Sequence, residues 1–290
     1  LAKELAREAG IIGINILFAA RDFLGIVKTA IDEKIDFITF GAGFSRDIFT
    51  IGKDTNTPIL PIVSSGKLAK ISQELGAAAI VAESSEAGGH LGTLTKSTVE
   101  LFEEVKAAVP DIPIIPAGGL VNGQDIFRLF KMGANAVQLA TRFVLTNECN
   151  AAAEYKSLYQ KAKKDDIIII KSPVGLPGRA IKTPFIDKVM TEGKQPIEKC
   201  DNCLKVCDRN YCIFEVLKKA QVGKVDEGVV FTGANLYKIK DRSIRPASEI
   251  IRELLEELKN LGVDVSEQLH AFMNNMGKYS ARPETNMAYG

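Results

Sequence analysis

Residues 77–93 read AAAIVAESSEAGGHLGT. The opening apolar run is short, continuous and without polar alternation, as expected of a strand buried on both faces. It stops at Glu83, and a Gly-Gly-His tip follows where neither helix nor strand is favoured. A helix-forming stretch, STVELFEEVKAAV, comes next. The unit is therefore strand, glycine-bearing turn, helix.

The same unit recurs along the first half of the chain. Apolar runs stand at 11–18 (IIGINILF), 35–43 (IDFITFGAG), 58–65 (PILPIVSS), 112–119 (IPIIPAGG) and 134–143 (ANAVQLATRF). Helical stretches RDFLGIVKTAIDEK, SGKLAKISQELG and NGQDIFRLFKMG lie between them. Ser97 and Asn122 stand where N-caps belong, Gly76 and Gly133 where helices end. Six such units predict an α/β fold, a (β/α)8 TIM barrel. A doubly wound open sheet would carry a Gly-x-Gly-x-x-Gly at its first strand, and none is present. Glycines sit instead at the C-terminal ends of several strands, the rim where a barrel builds its active site. The barrel reading leaves the first one or two β/α units unaccounted for, on the order of 50 residues before Leu1. The expected divisions are a barrel over 1–150 (strands 3–8), a lid or substrate region over 151–240, and a C-terminal helix and tail over 241–290.

Composition narrows the function classes. The 290 residues carry 37 Lys and Arg against 36 Asp and Glu. No basic stripe with interleaved aromatics points to nucleic acid, and no apolar run reaches the length of a membrane span. The opening LAKELAREAG reads as a helix rather than a signal peptide. Five cysteines without a secretory signal suggest a reducing compartment, by default the cytoplasm.

Two turns on successive strands resemble a phosphate grip. Gly118 and Gly119 let backbone approach phosphate oxygens, and Ala140 and Thr141 offer an N–H and a hydroxyl opposite. A tight turn and a helix cap would explain the same residues more blandly. His90, one of two histidines, sits after Gly88 and Gly89, where backbone can press against a flat ligand. Its imidazole can exchange protons near neutral pH. His270 has no such context and is assigned no role.

Together EAGGHLG, IPIIPAGGLVNGQDI, AVQLATRF and SPVGLPGRAI resemble the nitronate monooxygenase family, formerly the 2-nitropropane dioxygenases, which also includes flavin-type bacterial enoyl-ACP reductases. The resemblance spans about residues 9–240. It implies an FMN-dependent barrel enzyme with the flavin ring across the strand ends. His90 would be the catalytic histidine, and Gly118, Gly119, Ala140 and Thr141 the phosphate clamp. Asn15, Glu83, Gly88, Gly89 and Gln138 would line the cofactor. The family's glycine-rich turn after the first barrel strand has no counterpart here, which leaves the pyrimidine side of the flavin without a partner. The first expectation is oxidation of alkyl nitronates by O2 to a carbonyl compound and nitrite. The alternative is NAD(P)H-dependent reduction of an enoyl thioester or a quinone. A flavin-free barrel lyase or isomerase is the competitor from another class, with Lys67 and Glu83 its only near candidates.

Cys200, Cys203, Cys207 and Cys212 follow C-x2-C-x3-C-x4-C. Zinc, an iron–sulfur cluster and unligated thiols all remain open, and no metal is assigned. SPVGLPGRAIKTPF reads as a loop whose Arg179 either grips an anion or pairs with an acidic neighbour. EIIRELLEELKNL reads as an amphipathic helix for the barrel flank or a second copy in a homodimer, not for a membrane.

Overall fold

The computed structural model describes residues 11–266. The helix expected over residues 1–10, His270 and the tail ending SARPETNMAYG lie outside them. Five strands form one parallel sheet in the order β1 (Gly13–Leu17), β2 (Phe37–Gly41), β3 (Ile59–Val63), β4 (Ile80–Glu83) and β6 (Ile114–Ala117). Helices α1 (Phe23–Asp32), α2 (Asp47–Asp54), α3 (Gly66–Leu75), α4 (Thr98–Ala108) and α5 (Gly123–Lys131) connect or follow them. The arrangement is the α/β one expected. Among the described residues the sheet does not close back on β1.

Alternation divides each strand between two cores. Ile16, Ile38, Phe40, Ile80, Ala82 and Ile114 face the helices in one cluster. Leu60, Val81, Ile115 and Ala117 pack with Phe37 and Ile62 on the opposite, inner face. Asn15 lies between Ile14 and Ile16 of the helix-facing cluster and so belongs to the inner face. The predicted caps form: Ser97 completes a capping box with Glu100, and Asn122 accepts from the Asp125 amide at 2.9 Å. Gly76 and Gly133 end their helices with φ of 94° and 95°. The helix α2 had no counterpart in the sequence reading; it has only eight residues.

Two further expectations change. The run 134–143 is not a strand. It touches the sheet at one point, Gln138 against Ala117, then turns into the short helix α6 (Thr141–Val144). The Gly-Gly-His tip and the Pro-Gly loop, in contrast, do form strands. β5 (Gly89–His90) and β8 (Pro177–Ile181) pair antiparallel, with β7 (Ile167–Lys171) on the other side of β8, and β9 (Val230–Phe231) pairs antiparallel with Ala180 and Ile181 of β8. Pro177 is tolerated because it is the first residue of its strand.

Helix α7 (Ala153–Lys161) precedes this second sheet, and α8 (Pro184–Glu192) and α9 (Ile213–Gln221) accompany it. The cysteine-bearing segment between α8 and α9 docks on the chain just after β1. Arg21 N donates to Cys203 O at 2.9 Å and Lys205 N to Ala19 O at 2.9 Å. The Lys205 ammonium sits 3.6 Å from the Phe18 ring centroid. No helix among the described residues is long and apolar enough to cross a membrane.

The last helix, α10 (Ala247–Asn260), packs on the sheet's flank. Its Ile250, Leu254 and Leu258 are buried with Ile126 of α5. Burial of each contributes about 2 kcal/mol. Polar contacts fix its rotation. Arg142, 5% exposed, donates to Val121 O at 3.2 Å and to Glu253 at 3.0 Å, while Arg245 donates to the other Glu253 oxygen at 2.6 Å. Burial alone would raise the Glu253 pKa, but the Arg245 and Arg142 hydrogen bonds outweigh it and lower the value. Arg142→Leu strips one partner from that carboxylate and leaves the Val121 carbonyl unpaired. The substitution should lower unfolding stability in urea by about 2–3 kcal/mol. A loss under about 0.5 kcal/mol, the level of an ordinary surface change, would show that this contact does not hold α6 and α10 together.

Candidate active site

Register brings three positions into one row, at the C-terminal ends of β4 and β6 and the bridge residue beyond them. Glu83 pairs with Ala117, and Ala117 with Gln138. Beside this row lies a cavity of about 240 Å³. It is lined by Glu83, Gly88, Gly89, Gly118, Gly119 and Gln138, with Ala140 and Thr141 opposite. Eight of the ten residues expected at the cofactor thus meet in one place. Asn15 does not: it is exposed on β1, paired with Thr39, three strands from β4. His90 does not line the cavity either, although Gly88 and Gly89 do.

The glycines are required by their surroundings. Gly118 and Gly119 have φ of 108° and 70°, where an L side chain is strained. A Cβ on Gly118 would stand 2.5 Å from Ser84 Oγ, and one on Gly119 would stand 2.8 Å from Asn235 Nδ2. A Cβ on Gly88 would strike the Thr232 backbone at 2.6 Å. Behind them runs a buried polar network. Ser84 Oγ and Thr98 Oγ1 are 2.7 Å apart, Thr98 N donates to Glu86 Oε2 at 2.8 Å, and Gly118 O lies 2.7 Å from the Thr98 hydroxyl. Glu86, which the sequence reading did not single out, therefore caps α4 and fixes the turn facing the cavity.

The second sheet supplies the cavity's other wall. Phe231, Thr232 and Gly233 line it, as does Tyr159, whose hydroxyl donates to Phe231 O. Burial pushes the Tyr159 phenol well above its usual range. Gly233 N donates to Thr141 Oγ1 at 3.2 Å, Ala234 N to Glu86 O at 3.0 Å, and Asn235 Nδ2 to Gly119 O at 2.7 Å. Nothing in FTGAN alone marks it for this task, since its partners Thr141, Gly119 and Glu86 lie far earlier in the chain.

No lysine or arginine lines the cavity. What it offers an anion is backbone. Among the described residues, the amides of Gly119 and Ala140 have no acceptor, while that of Gly118 faces Gln138 O in the bridge, and the Thr141 hydroxyl, accepting from Gly233, keeps its own proton to donate. Lys67 is exposed on α3 and takes no part, which removes the lysine a flavin-free lyase would use. Burial raises Glu83 from 4.5 to about 7, so near neutral pH much of its population is uncharged.

His90 is held by the second sheet. It pairs with Gly178 across β5–β8, and Leu91 N donates to Pro177 O at 2.8 Å. Its Nε2 lies 2.7 Å from Ser172 Oγ, and its ring meets Phe231 edge-on at 5.1 Å. Burial lowers its pKa below 6.5. One arm of the Arg179 guanidinium is already engaged. Its Nη1 donates to Ala87 O at 2.8 Å and also to Ser85 O.

The four clustered cysteines line a separate cavity of about 300 Å³ and are all unbonded thiols. Burial raises the Cys203 pKa, with the neighbouring thiols adding to it. Among the described residues no group of three or more His, Cys, Asp or Glu side chains is placed to hold a metal ion.

The family model described as nitronate monooxygenase matches residues 2–257. The chain belongs to the nitronate monooxygenase family. Among solved structures, this family member is similar to FabK from Thermotoga maritima, with 31% identity and a TM-score of 0.74 over 90% of this chain and 78% of that one. A nitroalkane oxidase from Streptomyces ansochromogenes shares the fold at 20% identity and a TM-score of 0.67, over 89% of this chain and 85% of that one. Among curated proteins, a Rhodococcus jostii (3aS,4S,5R,7aS)-5-hydroxy-7a-methyl-1-oxo-octahydro-1H-indene-4-carboxyl-CoA dehydrogenase is 27% identical over 80% of this chain. A Staphylococcus aureus protein named probable nitronate monooxygenase is 29% identical over 56%. The chain spans 62% of the first and 48% of the second.

The Glu83 environment sets a pH test. The native carboxyl keeps its proton between pH 4.5 and about 7, where the unfolded chain has lost it. Stability from this group therefore falls as pH rises through that window. Glu83→Gln should gain stability over the parent at pH 8.5 and little at pH 5, read from urea midpoints. An equal difference at both pH values would show that Glu83 ionises normally.

Proposed function

We propose that this member of the family is an FMN-dependent oxidoreductase acting on a small molecule that is an anion or becomes one during the reaction. The observation that carries the reading is the cavity at the strand ends, where two amides without acceptors meet a hydroxyl donor and no cation. Its volume of about 240 Å³ is below the roughly 300–1,000 Å³ of a whole-ligand pocket. It suits one end of a ligand, and amides with a hydroxyl suit a phosphate. The residues present fit FMN in that respect. Gly118, Gly119, Ala140 and Thr141 would hold the phosphate, while Gly88, Gly89, Glu83 and Gln138 would border the remainder. Asn15, on the inner face three strands away, would meet only the far edge of a ring laid across the strand ends. Bound there, FMN would supply two-electron chemistry that no side chain offers.

The chain's own part is to exclude water and manage charge. A mostly neutral Glu83 does not repel an anion, and a neutral His90 can donate a hydrogen bond to one. An alkyl nitronate, oxidised with O2, is the first substrate reading, in line with the family model. The thioester reading has its own support: the Rhodococcus relative, similar over most of this chain, is named as a carboxyl-CoA dehydrogenase. In that case NAD(P)H would be a second partner, and His90 would face a developing enolate.

Purified protein should be yellow, absorbing near 450 nm. Under anaerobic conditions, bleaching by an alkyl nitronate alone supports the first reading, and bleaching only by NADH or NADPH supports the second. His90→Gln should keep the colour and lose about 100-fold or more in turnover. Protein that stays colourless after incubation with FMN would overturn both.

A further inference from the structure

His90 sits at the rim, but its hydrogen-bond partner comes from residues 82 positions away. Ser172, directly after β7, is 2% exposed and places its Oγ 2.7 Å from His90 Nε2. A buried hydroxyl needs an acceptor for its single proton. Two other polar groups stand beside it, a backbone amide and a phenol. The Val174 amide points its own proton at Ser172 Oγ, at 3.4 Å, and the Tyr211 hydroxyl spends its proton on the Lys171 carbonyl at 2.9 Å. The acceptors beside Ser172 Oγ are thus Nε2 and the Tyr211 oxygen, and the short 2.7 Å contact to Nε2 favours the imidazole.

We propose that Ser172 is the positioning residue of His90: its hydroxyl donates to Nε2, fixing the neutral ring in the Nδ1–H form. Which ring nitrogen carries the proton is set by the hydrogen bond the other makes. His90 then enters the reaction as a hydrogen-bond donor through Nδ1, suited to a nitronate or developing enolate oxygen, rather than as a base waiting for a proton. The proposal rests on the reading of His90 as the residue that meets the substrate. The ring's other surroundings agree with a neutral group. Phe231 packs against it edge-on, Gly178 faces it across the strand pair, and burial is the cause of its lowered pKa.

The test needs no turnover. The chain has two histidines, so ring-15N-labelled protein gives two imidazole patterns in a two-bond 1H–15N correlation spectrum. His90→Gln identifies the one belonging to residue 90. In the parent protein at pH 8, Nδ1 should be the protonated nitrogen and Nε2 the acceptor. In Ser172→Ala the Nε2–H form should gain population, and the His90 pKa should rise because a donor to the neutral ring is lost. Ser172→Thr, which keeps the hydroxyl, should restore the parent pattern. An Nε2–H ring in the parent, which would follow if Ser172 donated to Tyr211 instead, overturns the proposal. So does a Ser172→Ala spectrum identical to the parent's.

Kinetics separate this failure from that of the functional reading. Ser172→Ala should lower kcat about tenfold with KM little changed, and Ser172→Thr should recover most of it. Full turnover in His90→Gln would remove His90 from the reaction while leaving the tautomer result intact.

Discussion

The site depends on one polar clamp. Arg179, in the middle of β8, donates to Ser85 and Ala87 carbonyls, while the strand that bears it pairs with Gly89 and His90. A loop with two glycines at its tip would otherwise sample many conformations, and ordering each residue costs about 1–2 kcal/mol. The clamp offsets that cost with charge-assisted bonds in a half-buried place. Its consequence is that the rim of the parallel sheet is completed by a second sheet, built from residues about ninety positions later. The cavity wall at Thr232 and Gly233 follows, since Thr232 N donates to Arg179 O at 3.1 Å.

Charge in the site is managed by leaving charges out. The cavity wall carries no cation, and its one carboxyl, Glu83, is raised to about 7 by burial. A phosphate placed there would be held by amide dipoles and a hydroxyl, which are fixed before the ligand arrives. This arrangement depends on the departure of 134–143 from the sheet. Had that run continued as a strand, the Ala140 amide would be committed to a ladder. The break after Gln138 frees it, and the Arg142–Glu253 pair holds the broken segment in place.

Much of the parallel layer was legible because its signals are local: continuous apolar runs, Ser97 and Asn122 caps, and Gly76 and Gly133 at helix ends. The rim glycines were legible for the same reason, since a turn that needs positive φ shows itself as glycine. What escaped was non-local. PGRAI contains proline and glycine and reads as a loop, yet it becomes the central strand of the second sheet once β7, β5 and β9 surround it. Gly89 and His90 are too short a segment to show any periodicity, and only pairing with β8 makes them a strand. Tyr159 and Asn235 carry no motif; their place in the site follows from contacts closing over long separations. Asn15 shows the opposite case, since a strand residue of suitable type lies on the inner face but three strands from the cavity.

With FMN as the proposed cofactor, the clamp is most directly tested by the FMN dissociation constant of Arg179→Met, measured by quenching of flavin fluorescence. Methionine retains much of the stem's packing and loses both carbonyl contacts. Binding should weaken at least about tenfold, equivalent to about 1.4 kcal/mol, while far-UV circular dichroism stays that of the parent. Parent-like affinity in this variant would contradict the view that Arg179 assembles the site.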